Sequence, residues 1–413
     1  MLQIIREPAR AVPVAGAYDV LVAGGGIAGV AAAVAARRQG ASVCLVEKTA
    51  GLGGLATLGN VTVWLPICNG FGRQVIGGIG EELLRLSVGD LKKPNSAAGF
   101  HGIPPCWEPG GDPQERRRQR FYASFNPSAY LFALERWVAD AGVTLLYDTA
   151  CCALKRRGPR LTHALIENKS GRQALAAQTF IDATGDADLC HLAGEATESL
   201  DSNVLCGWFY YLEDGTLHSH KWTNAFSPDL TREGGTGPFF RGDDGRQVTD
   251  LVLGSRELIR RRLDDLRVRH PDADIQLFAP PSIACFRATR RLVGRITLLD
   301  EHVHQWFDDT CGLTGDWRKP GPVWAIPWRS LCAVGTRNLA AAGRCISAAG
   351  SAWDVTRAIP GCAATGEAAG TAAALACQRT RGDLHRLETA EIQAALHRRG
   401  ALLDAALVAP PEA

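Results

Sequence analysis

The apolar residues near the start of the chain predict a short alternation of buried strands and a helix. Residues 18–23 (YDVLVA) form a continuous apolar run that is typical of a buried parallel strand. After a run of glycines, an Ala-rich helix is predicted to extend to about Gln39, where Gly40 ends it. Residues 42–47 (SVCLVE) are a second strand. The pattern indicates a strand–turn–helix–strand unit of about thirty residues.

The apolar pattern beyond this unit predicts further ordered elements and two loop-rich segments. Residues 48–80 are glycine-rich and are predicted to wrap a ligand or an interface, and residues 94–120 are predicted to form an exposed loop. Three strand-like runs lead to the strand at 179–183 (TFIDA). The other predicted elements are a helix at 128–141, strands at 143–147 and 338–342, an Ala-rich helix at 360–378, and a charged amphipathic helix after Thr380.

Residues 203–328 differ from both flanks because they are richer in aromatic and charged residues and lack the strand–helix alternation. We interpret this segment as an inserted second domain. The predicted fold is therefore α/β, with a Rossmann-type domain interrupted by an α+β insertion. The predicted boundaries are 16–202 and 329–382 for the two parts of the Rossmann-type domain, 203–328 for the insertion, and 383–413 for a C-terminal helix and tail.

A glycine motif of the form GxGxxG joins the first strand to the first helix. Its first glycine permits a tight turn, its second lets the backbone approach a pyrophosphate, and its third allows close packing of helix and strand. Glu47 ends the second strand, where a carboxylate can accept hydrogen bonds from a ribose. The predicted dinucleotide contacts in this unit are Gly24, Gly26, Ile27, Ala28, Gly29 and Glu47.

The residues after Glu47 favour FAD over a nicotinamide dinucleotide. Residues 51–57 (GLGGLAT) extend the glycine-rich path, as a cofactor that reaches beyond its pyrophosphate to a flavin requires. A nicotinamide enzyme would instead continue with further helix and strand units. The predicted FAD contacts in this segment are Lys48, Gly53, Gly54 and Thr57.

Several longer blocks of the chain resemble the FAD-dependent oxidoreductase family of the glutathione-reductase-like (two-dinucleotide-binding-motif) flavoprotein superfamily. These blocks include GGGIAGVAAAVAAR, GGLATLGNVTVWLP, NGFGRQVIGGIGEEL, FIDATGDADL, FRATRRLVGRITLLD, AIPWRSL, NLAAAGRCIS and RAIPGCAATGEAAGTAAALA. They follow one another over nearly the whole chain. Their number and order make the resemblance specific for fold and cofactor, but not for substrate.

The resemblance implies further FAD contacts. The ATGD turn at 183–186 would lie close to the pyrophosphate and ribose, and the strand that contains Ala153 would contact the adenine. Gly343 and Arg344 would lie beside the pyrophosphate and ribityl chain, and residues 361–366 would point the start of the last helix at the flavin. The predicted contacts from these segments are Ala153, Ala183, Thr184, Gly185, Asp186, Gly343, Arg344, Gly361 and Ala364.

Three arginines in these blocks are the predicted catalytic or substrate-binding residues. Arg287 and Arg290 belong to FRATRR, and Arg357 precedes the last helix. An arginine near the flavin could clamp a carboxylate through two hydrogen bonds; alternatively, it could form an interdomain ion pair or hold the cofactor phosphates. Family members often carry a histidine a few residues after GRCIS, but this chain reads AAGSAWDVT there, so no histidine mechanism transfers to it.

Composition argues against several other classes of protein. Lys and Arg total 45 and Asp and Glu total 43, and a formal net charge of +2 argues against a nucleic-acid partner. The apolar runs are too short for a transmembrane helix, so we expect no membrane partner. The 13 cysteines lack CxxC and zinc-site spacing, and no export signal is recognisable, so we expect no metal and a cytoplasmic location.

These features together predict an enzyme, an FAD-dependent dehydrogenase or oxidase that removes a hydride from a small organic substrate covered by the inserted domain. Two alternatives stay open: a flavin-dependent reductase of an unsaturated acid, and a flavoprotein that acts on a macromolecule such as tRNA. Only one strand–GxGxxG–helix unit is present. We therefore expect that NAD(P)H is not a tightly bound co-substrate.

Overall fold

The computed structural model describes Ile5 and residues 7–410. The strands among these residues are β1 (Val14–Ala23), β2 (Val43–Val46), β3 (Val63–Trp64), β4 (Ala123–Ser124), β5 (Thr144–Leu146), β6 (Ala150–Arg157), β7 (Arg160–Asn168), β8 (Gly171–Asp182), β9 (Thr197–Ser199), β10 (Phe209–Glu213), β11 (Thr216–His220), β12 (Ile275–Ala279), β13 (Arg290–Leu292), β14 (Thr310–Gly315), β15 (Val323–Pro327) and β16 (Leu339–Ala341). The helices are α1 (Ile27–Arg38), α2 (Ile79–Val88), α3 (Pro113–Arg118), α4 (Pro127–Asp140), α5 (Asp188–Leu192), α6 (Gly245–Arg269), α7 (Gly350–Thr356), α8 (Ile359–Arg379), α9 (Thr389–Arg398) and α10 (Ala405–Val408).

A largely parallel sheet forms the centre of the molecule. Its strand order is β5-β2-β1-β8-β7-β6, and β16 also pairs with β8. Strands β5, β2, β1, β8 and β16 run parallel, whereas β6, β7 and β8 form an antiparallel extension. Ala23 lies opposite both Val46 and Asp182, and Ala341 also lies opposite Asp182. The carboxyl ends of these strands therefore meet at one edge, where α/β sheets bind ligands.

Two Ala-rich helices, α1 and α8, pack closely together over one face of this sheet. Most residues of both helices are buried, ten of 12 in α1 and 16 of 21 in α8. Their approach depends on small residues, because a Cβ atom at Gly366 or Gly370 would overlap the main-chain oxygen of Ala28 or Ala32, respectively. The opposite face of the sheet carries a second, smaller apolar core around α5.

The segment predicted as an insertion forms a small unit and then rejoins the main core. Strands β10, β11 and β12 make an antiparallel sheet, and α6 packs on it through an apolar cluster that includes Phe209 and Ile259. By contrast, β14 and β15 pair with each other and pack against α8 within the main core. These contacts favour an inserted unit that ends before β14, and the boundaries 203 and 328 stay a prediction.

The structure has the predicted α/β fold, and the principal predicted strands and helices are present. The charged helix predicted after Thr380 is present as α9, and the separate short helix α10 follows it. Gly400 adopts φ of +86°, a left-handed conformation that ends α9. The last three residues of the predicted tail lie outside the described part of the chain. Within residues 7–410, none of the helices combines the length and apolar character that crossing a membrane requires.

Candidate functional site

The loops that leave the carboxyl ends of the parallel strands converge at one edge of the sheet. The GxGxxG loop follows β1, Glu47 follows β2, the ATGD turn follows β8, and Gly343 follows β16. The main chain joins two of these loops directly, since the N–H of Ala342 donates to the Asp182 oxygen at 2.9 Å. The structure thus brings together four of the sequence blocks that predicted a dinucleotide site.

The three motif glycines differ in what a side chain would meet at each position. Gly24 adopts φ of +101°, and a Cβ atom there would overlap the main-chain oxygen of Ala183. A Cβ atom at Gly29 would overlap the main-chain oxygen of Gly24. At Gly26, however, a Cβ atom would meet no protein atom within 4 Å. The protein itself therefore leaves open space beside Gly26, at the amino-terminal end of α1.

A second glycine-rich loop runs alongside the first. The N–H of Gly53 donates to the oxygen of Gly25 at 2.8 Å. Gly54 adopts φ of +55°, and its added Cβ would lie 3.3 Å from the Cα of Gly26. The hydroxyl of Thr57 donates to the main-chain oxygen of Leu52, so it stabilises the loop from within. Gly53 and Gly54 consequently form one wall of the open space at Gly26.

The carboxylate of Glu47 is buried and fixed by hydrogen bonds on both oxygens. Oε2 accepts from the N–H of Gly25 at 2.6 Å, and Oε1 accepts from the N–H and the hydroxyl of Thr49, each at 2.7 Å. Glu47 therefore holds the glycine loop in addition to its predicted role toward the ribose. The side chain of Lys48 is 64% exposed, and its Nζ lies 3.8 Å from the carboxylate of Asp186.

The ATGD turn is stabilised by Asp182, a residue that the sequence analysis did not select. Asp182 is fully buried, and its Oδ1 accepts from the Thr184 hydroxyl at 2.7 Å, while its Oδ2 accepts from the Cys190 N–H at 2.9 Å. Gly185 adopts φ of +80°. The guanidinium of Arg344 lies against Gly185 and 3.5 Å from the carboxylate of Asp186, as the predicted proximity of these blocks requires.

Gly343 and Gly361 occupy tight positions near the start of α8. Gly343 adopts φ of +67°, its added Cβ would lie 2.7 Å from the Cβ of Ala28, and its N–H donates to the Thr365 hydroxyl at 2.9 Å. A Cβ at Gly361 would lie 2.5 Å from the main-chain oxygen of Thr356. These contacts pack the first turn of α8 against the start of α1, where Ile27 and Ala28 lie.

Two predicted cofactor contacts lie away from this cluster of loops. Ala364 faces β14 and lines a recess with Gly312 and Glu367 on the side of α8 toward α9. Ala153 is half-buried in β6 and is paired with Leu165 of β7. The start of β6 lies closer to the site. The N–H of Thr149, the residue before β6, donates to the main-chain oxygen of Glu47 at 3.0 Å. The roles of Ala153 and Ala364 stay predictions.

Arg287 and Arg357, two of the three predicted substrate arginines, meet at one buried carboxylate. Both donate to Oδ1 of Asp354, which is fully buried in α7, and the Nε of Arg357 does so at 2.9 Å. Arg290 lies at the ATGD turn instead. It donates to the main-chain oxygen of Asp186 at 2.9 Å and to the Asp188 carboxylate at 2.7 Å. These contacts favour a structural role for Arg290 in supporting the ATGD turn.

Burial and like charge both act on the arginine pair. They lower the pKa of Arg287 to about 9, first through desolvation and then through repulsion by Arg357. Burial opposes ionisation of Asp354, but the charges of Arg357 and Arg287 outweigh it and keep the pKa of Asp354 below its usual value. The ring of Phe226 lies 3.1 Å from the Cζ of Arg287. The two guanidinium groups thus share one ionised carboxylate, and one side of the cluster is apolar.

The cluster of loops fits the adenosine diphosphate half of FAD. The space beside Gly26 would accept a side chain at no cost to protein packing, and it lies at the amino-terminal end of α1. The N–H groups at the start of the 12-residue helix α1 face this space and provide donors and a positive dipole end for a pyrophosphate. Glu47, at the end of β2, would hold the ribose.

Comparison with known proteins identifies the family of the chain. A family model described as FAD dependent oxidoreductase matches residues 19–204 and 207–396. A geranylgeranyl bacteriochlorophyll reductase-like protein of Thermoplasma acidophilum is similar at 13% identity and a TM-score of 0.44, over 93% of this chain and 84% of that one. CabE, an aromatic hydroxylase from angucycline biosynthesis, is similar at 12% identity and a TM-score of 0.46, over 93% of this chain and 70% of that one.

The comparison with curated protein sequences gives no match. The family model, in contrast, spans most of the chain and includes every loop of the site. The protein therefore belongs to the FAD dependent oxidoreductase family, and it is an enzyme whose cofactor is FAD.

Proposed function

We propose that this enzyme removes a hydride from a small organic substrate that carries a carboxylate, and that Arg287 and Arg357 bind this carboxylate. The observation that carries the proposal is the convergence of both arginines on Asp354, beside the start of α8. Within the described residues, the Nε of Arg287 and the Oδ2 of Asp354 are both buried without a hydrogen-bond partner. A buried guanidinium N–H without an acceptor is costly, and a substrate carboxylate would supply that acceptor.

The charge balance of the cluster supports an anionic ligand. Arg318 lies 3.7 Å from Asp354 through its Nη1 and forms a paired contact with the carboxylate of Asp316. Three arginines therefore face the two buried carboxylates of Asp354 and Asp316, and the charge of Asp300 also raises the pKa of Arg318 against the effect of burial. The guanidinium groups present donors and positive charge to a ligand, so the cluster favours anionic over neutral ligands.

The arginine cluster is connected to the FAD-binding loops. Arg344 lies at the ATGD turn and donates to the main-chain oxygen of Phe286, the residue before Arg287. The indole N–H of Trp353, next to Asp354, donates to the main-chain oxygen of Arg344 at 2.9 Å. These links support a substrate position next to the cofactor.

Residues 226–229 of the inserted unit pack beside the same arginine cluster. Phe226 stacks on Arg287, the oxygen of Pro228 accepts from Arg318 at 3.3 Å, and the carboxylate of Asp229 accepts from the Ser351 hydroxyl at 2.6 Å. These contacts support the proposal that the inserted domain covers the substrate. The aromatic face of Phe226 would exclude water, which strengthens the ionic hydrogen bonds of the arginines.

In the proposed mechanism, the protein orients the substrate and tunes charge. FAD, when bound, supplies an acceptor for the hydride. Arg287 and Arg357 would hold the substrate carboxylate, while Asp354 keeps both guanidinium groups aligned. The start of α8 follows directly after Arg357 and provides a positive dipole end for negative charge that develops near it.

The finer assignment to the glutathione-reductase-like superfamily is also part of this proposal. It is supported by the parallel sheet with its antiparallel extension and by the insertion between β9 and β13. A reductase of an unsaturated acid is the second candidate, because the same arginine pair would bind its carboxylate. Hydride would then flow in the opposite direction. The net charge of +2 gives little support to a macromolecular substrate such as tRNA.

Steady-state kinetics with a carboxylic acid that bleaches the flavin tests the role of the arginines. We expect Arg357→Gln to raise KM by at least about tenfold, since a charged hydrogen bond contributes about 1.5–3 kcal/mol. Arg357→Lys should restore only part of the affinity, because a lysine cannot make the paired contact. Arg329→Gln is the matched control, as Arg329 is half-exposed and pairs with Asp309. An unchanged KM in both Arg287→Gln and Arg357→Gln, with the flavin retained, would refute the assignment.

A further inference from the structure

Three segments that are far apart in the sequence meet at the surface beside the arginine cluster. They are residues 69–73, 116–120 and 318–321. The N–H of Gly321 donates to the main-chain oxygen of Asn69 at 2.8 Å. An added Cβ at Gly70 would lie 2.5 Å from the Cβ of Pro320 and 3.2 Å from the Cδ of Arg120. The three segments therefore form one continuous surface.

This surface carries positive charge that the protein does not neutralise. The three segments contain seven cationic residues and none that is acidic. Arg318 is paired with Asp316, and Arg116 donates to the main-chain oxygens of Cys106 and Glu108. Among the described residues, the other five cations have no carboxylate within 4.0 Å. These five side chains are exposed or half-buried, and we call them the cationic surface: Arg73, Arg117, Arg118, Arg120 and Lys319.

Helix α6 is also rich in arginine, but its charges are neutralised locally. Arg260 and Arg261 both donate to the carboxylate of Glu257, and Arg267 pairs with Asp264 at 3.0 Å. A surface that carries one sign of charge attracts solutes of the opposite sign and raises their local concentration. The cationic surface is therefore suited to anions, whereas the mixed surface of α6 is not.

Arg120 has unused hydrogen-bonding capacity where the cationic surface meets the interior. Its guanidinium donates to the main-chain oxygen of Asp316, and this is its only hydrogen bond within the part of the chain that the structure describes. Its Nε is buried without a partner. A guanidinium carries more N–H donors than one bond uses, so Arg120 keeps donors for an anion.

Arg120 also connects the cationic surface with the proposed substrate site. The carboxylate of Asp316, whose main-chain oxygen Arg120 binds, pairs with Arg318 at 2.9 Å. Arg318 in turn lies 3.7 Å from the carboxylate of Asp354, which the arginine pair shares. Successive cations therefore lead from the exposed side chains to the arginine pair.

We propose that the cationic surface steers small anions to the substrate site and is the entrance by which an anionic substrate reaches the flavin. This inference rests on the proposed function, because it takes the arginine pair as the place where the substrate binds. Steering acts before binding, so it raises the association rate and not the rate of the chemical step. Salt weakens it, since the Debye length is about 10 Å at 0.1 M ionic strength.

Anaerobic reduction of the holoenzyme by dithionite tests the proposal without a known substrate. Dithionite and the sulfur dioxide radical anion that it releases are negatively charged. We therefore expect the second-order rate of flavin bleaching, measured by stopped flow, to fall as ionic strength rises. The methyl viologen radical cation is a reductant of opposite charge, and its rate should rise with ionic strength. A dithionite rate that does not depend on salt would overturn the proposal.

A double variant, Arg117→Gln/Arg118→Gln, assigns the effect to this surface. Glutamine keeps the Cγ atom that Arg117 places against Gly72. At low ionic strength we expect the dithionite rate to fall about threefold or more, and the difference to shrink at high salt. The matched control, Arg260→Gln/Arg261→Gln, removes the same charge from α6 and should react as the wild type does. A wild-type rate in the first variant, or an equal loss in the control, would contradict the proposal.

The same variants separate this inference from the proposed function. With a carboxylic acid that bleaches the flavin, Arg117→Gln/Arg118→Gln should lower kcat/KM mainly at low ionic strength, whereas Arg357→Gln should raise KM at every ionic strength. If only the effect of Arg357→Gln is absent, the proposed function fails. If only the salt-dependent effect is absent for both the acid and dithionite, the steering fails and the assignment of the arginine pair stands.

Discussion

At the scale of single residues, Gly26 connects the sequence motif to the cofactor most directly. The structure gives a protein-internal reason for glycine at Gly24 and at Gly29, but none at Gly26, whose added Cβ would meet no atom within 4 Å. We expect the pyrophosphate to approach the backbone at this position, where a side chain would stand in its way.

Replacing Gly26 by valine should block FAD binding and leave the fold intact. A branched side chain would fill the space of the pyrophosphate without a clash in the protein. We expect colourless protein with wild-type circular dichroism, checked by flavin absorbance after purification. Gly102→Val is the matched control, because its added Cβ is equally unobstructed and its φ is not in the left-handed region. A yellow Gly26→Val protein with a full complement of FAD would contradict the assigned site.

Glu47→Ala should weaken FAD binding by about 1–3 kcal/mol, the cost of losing hydrogen bonds to a charged group. Part of the loss comes from the protein, because the carboxylate also holds the N–H of Gly25 at 2.6 Å. Glu47→Gln should recover some affinity, since its amide oxygen can accept that bond. Titration of FAD into apoprotein measures the effect. An affinity equal to that of the wild type in Glu47→Ala would remove Glu47 from the site.

The sequence predicted residues whose role is local but missed those whose role depends on distant partners. The glycine loop and Glu47 lie within one strand–helix–strand unit, so spacing alone identifies them. Asp354 was missed because a lone aspartate in a helix carries no signal of its own, and only one of its two arginine partners, Arg357, is near it in the sequence, whereas Arg287 is 67 residues away. The same reason applies to Arg290, whose contact with Asp188 becomes visible only in the folded chain.

At the scale of elements, the sequence predicted helices and strands best in the FAD-binding domain, where they have the same apolar character as the strand–helix–strand unit at residues 18–47. Helix α8 and strands β1, β2, β8 and β16 were predicted because apolar runs and small residues are continuous there. Helices α2, α6 and α7 were not predicted. Helix α6 was not predicted because its apolar stripe is narrow and lies among many charged residues. The stripe includes Leu251, Ile259 and Leu266.

Helix α8 also carries a buried acid that links it to α2. Glu367 is 3% exposed, and its Oε2 accepts from the N–H of Ile79, the first residue of α2, at 3.0 Å. Burial raises the pKa of Glu367 to about 8, against an ordinary value of 4.5. The folded protein therefore binds one more proton than the unfolded chain between these two values. Stability should accordingly fall as the pH rises through this range.

Glu367→Gln should remove this part of the pH dependence, because the amide oxygen keeps the acceptor and carries no charge. Between about pH 6 and about pH 8.5, we expect the wild type to lose on the order of 2 kcal/mol more unfolding free energy than the variant. Urea unfolding at the two pH values measures it. Glu391→Gln in α9 is the control on a more exposed acid. Equal pH dependence in the wild type and Glu367→Gln would mean that Glu367 is ionised in the folded protein.

At the scale of the whole molecule, the FAD-binding domain and the inserted unit are built on different sheets. The parallel sheet carries the loops of the candidate FAD site at one edge, while β10, β11, β12 and α6 form an antiparallel unit with its own apolar cluster. In this chain the segment 203–328 contains no parallel sheet and no second GxGxxG unit. We therefore expect the organic substrate to reduce the flavin.

Anaerobic stopped-flow mixing of the holoenzyme tests this electron source directly. The enzyme is mixed in parallel with a panel of small carboxylic acids, with NADH and with NADPH, and flavin absorbance is followed. We predict fast, saturating bleaching by at least one acid and only slow, non-saturating bleaching by either nicotinamide. Reoxidation of chemically reduced enzyme by an unsaturated acid would identify the second candidate. Fast and saturating reduction by NADH or NADPH would contradict the account.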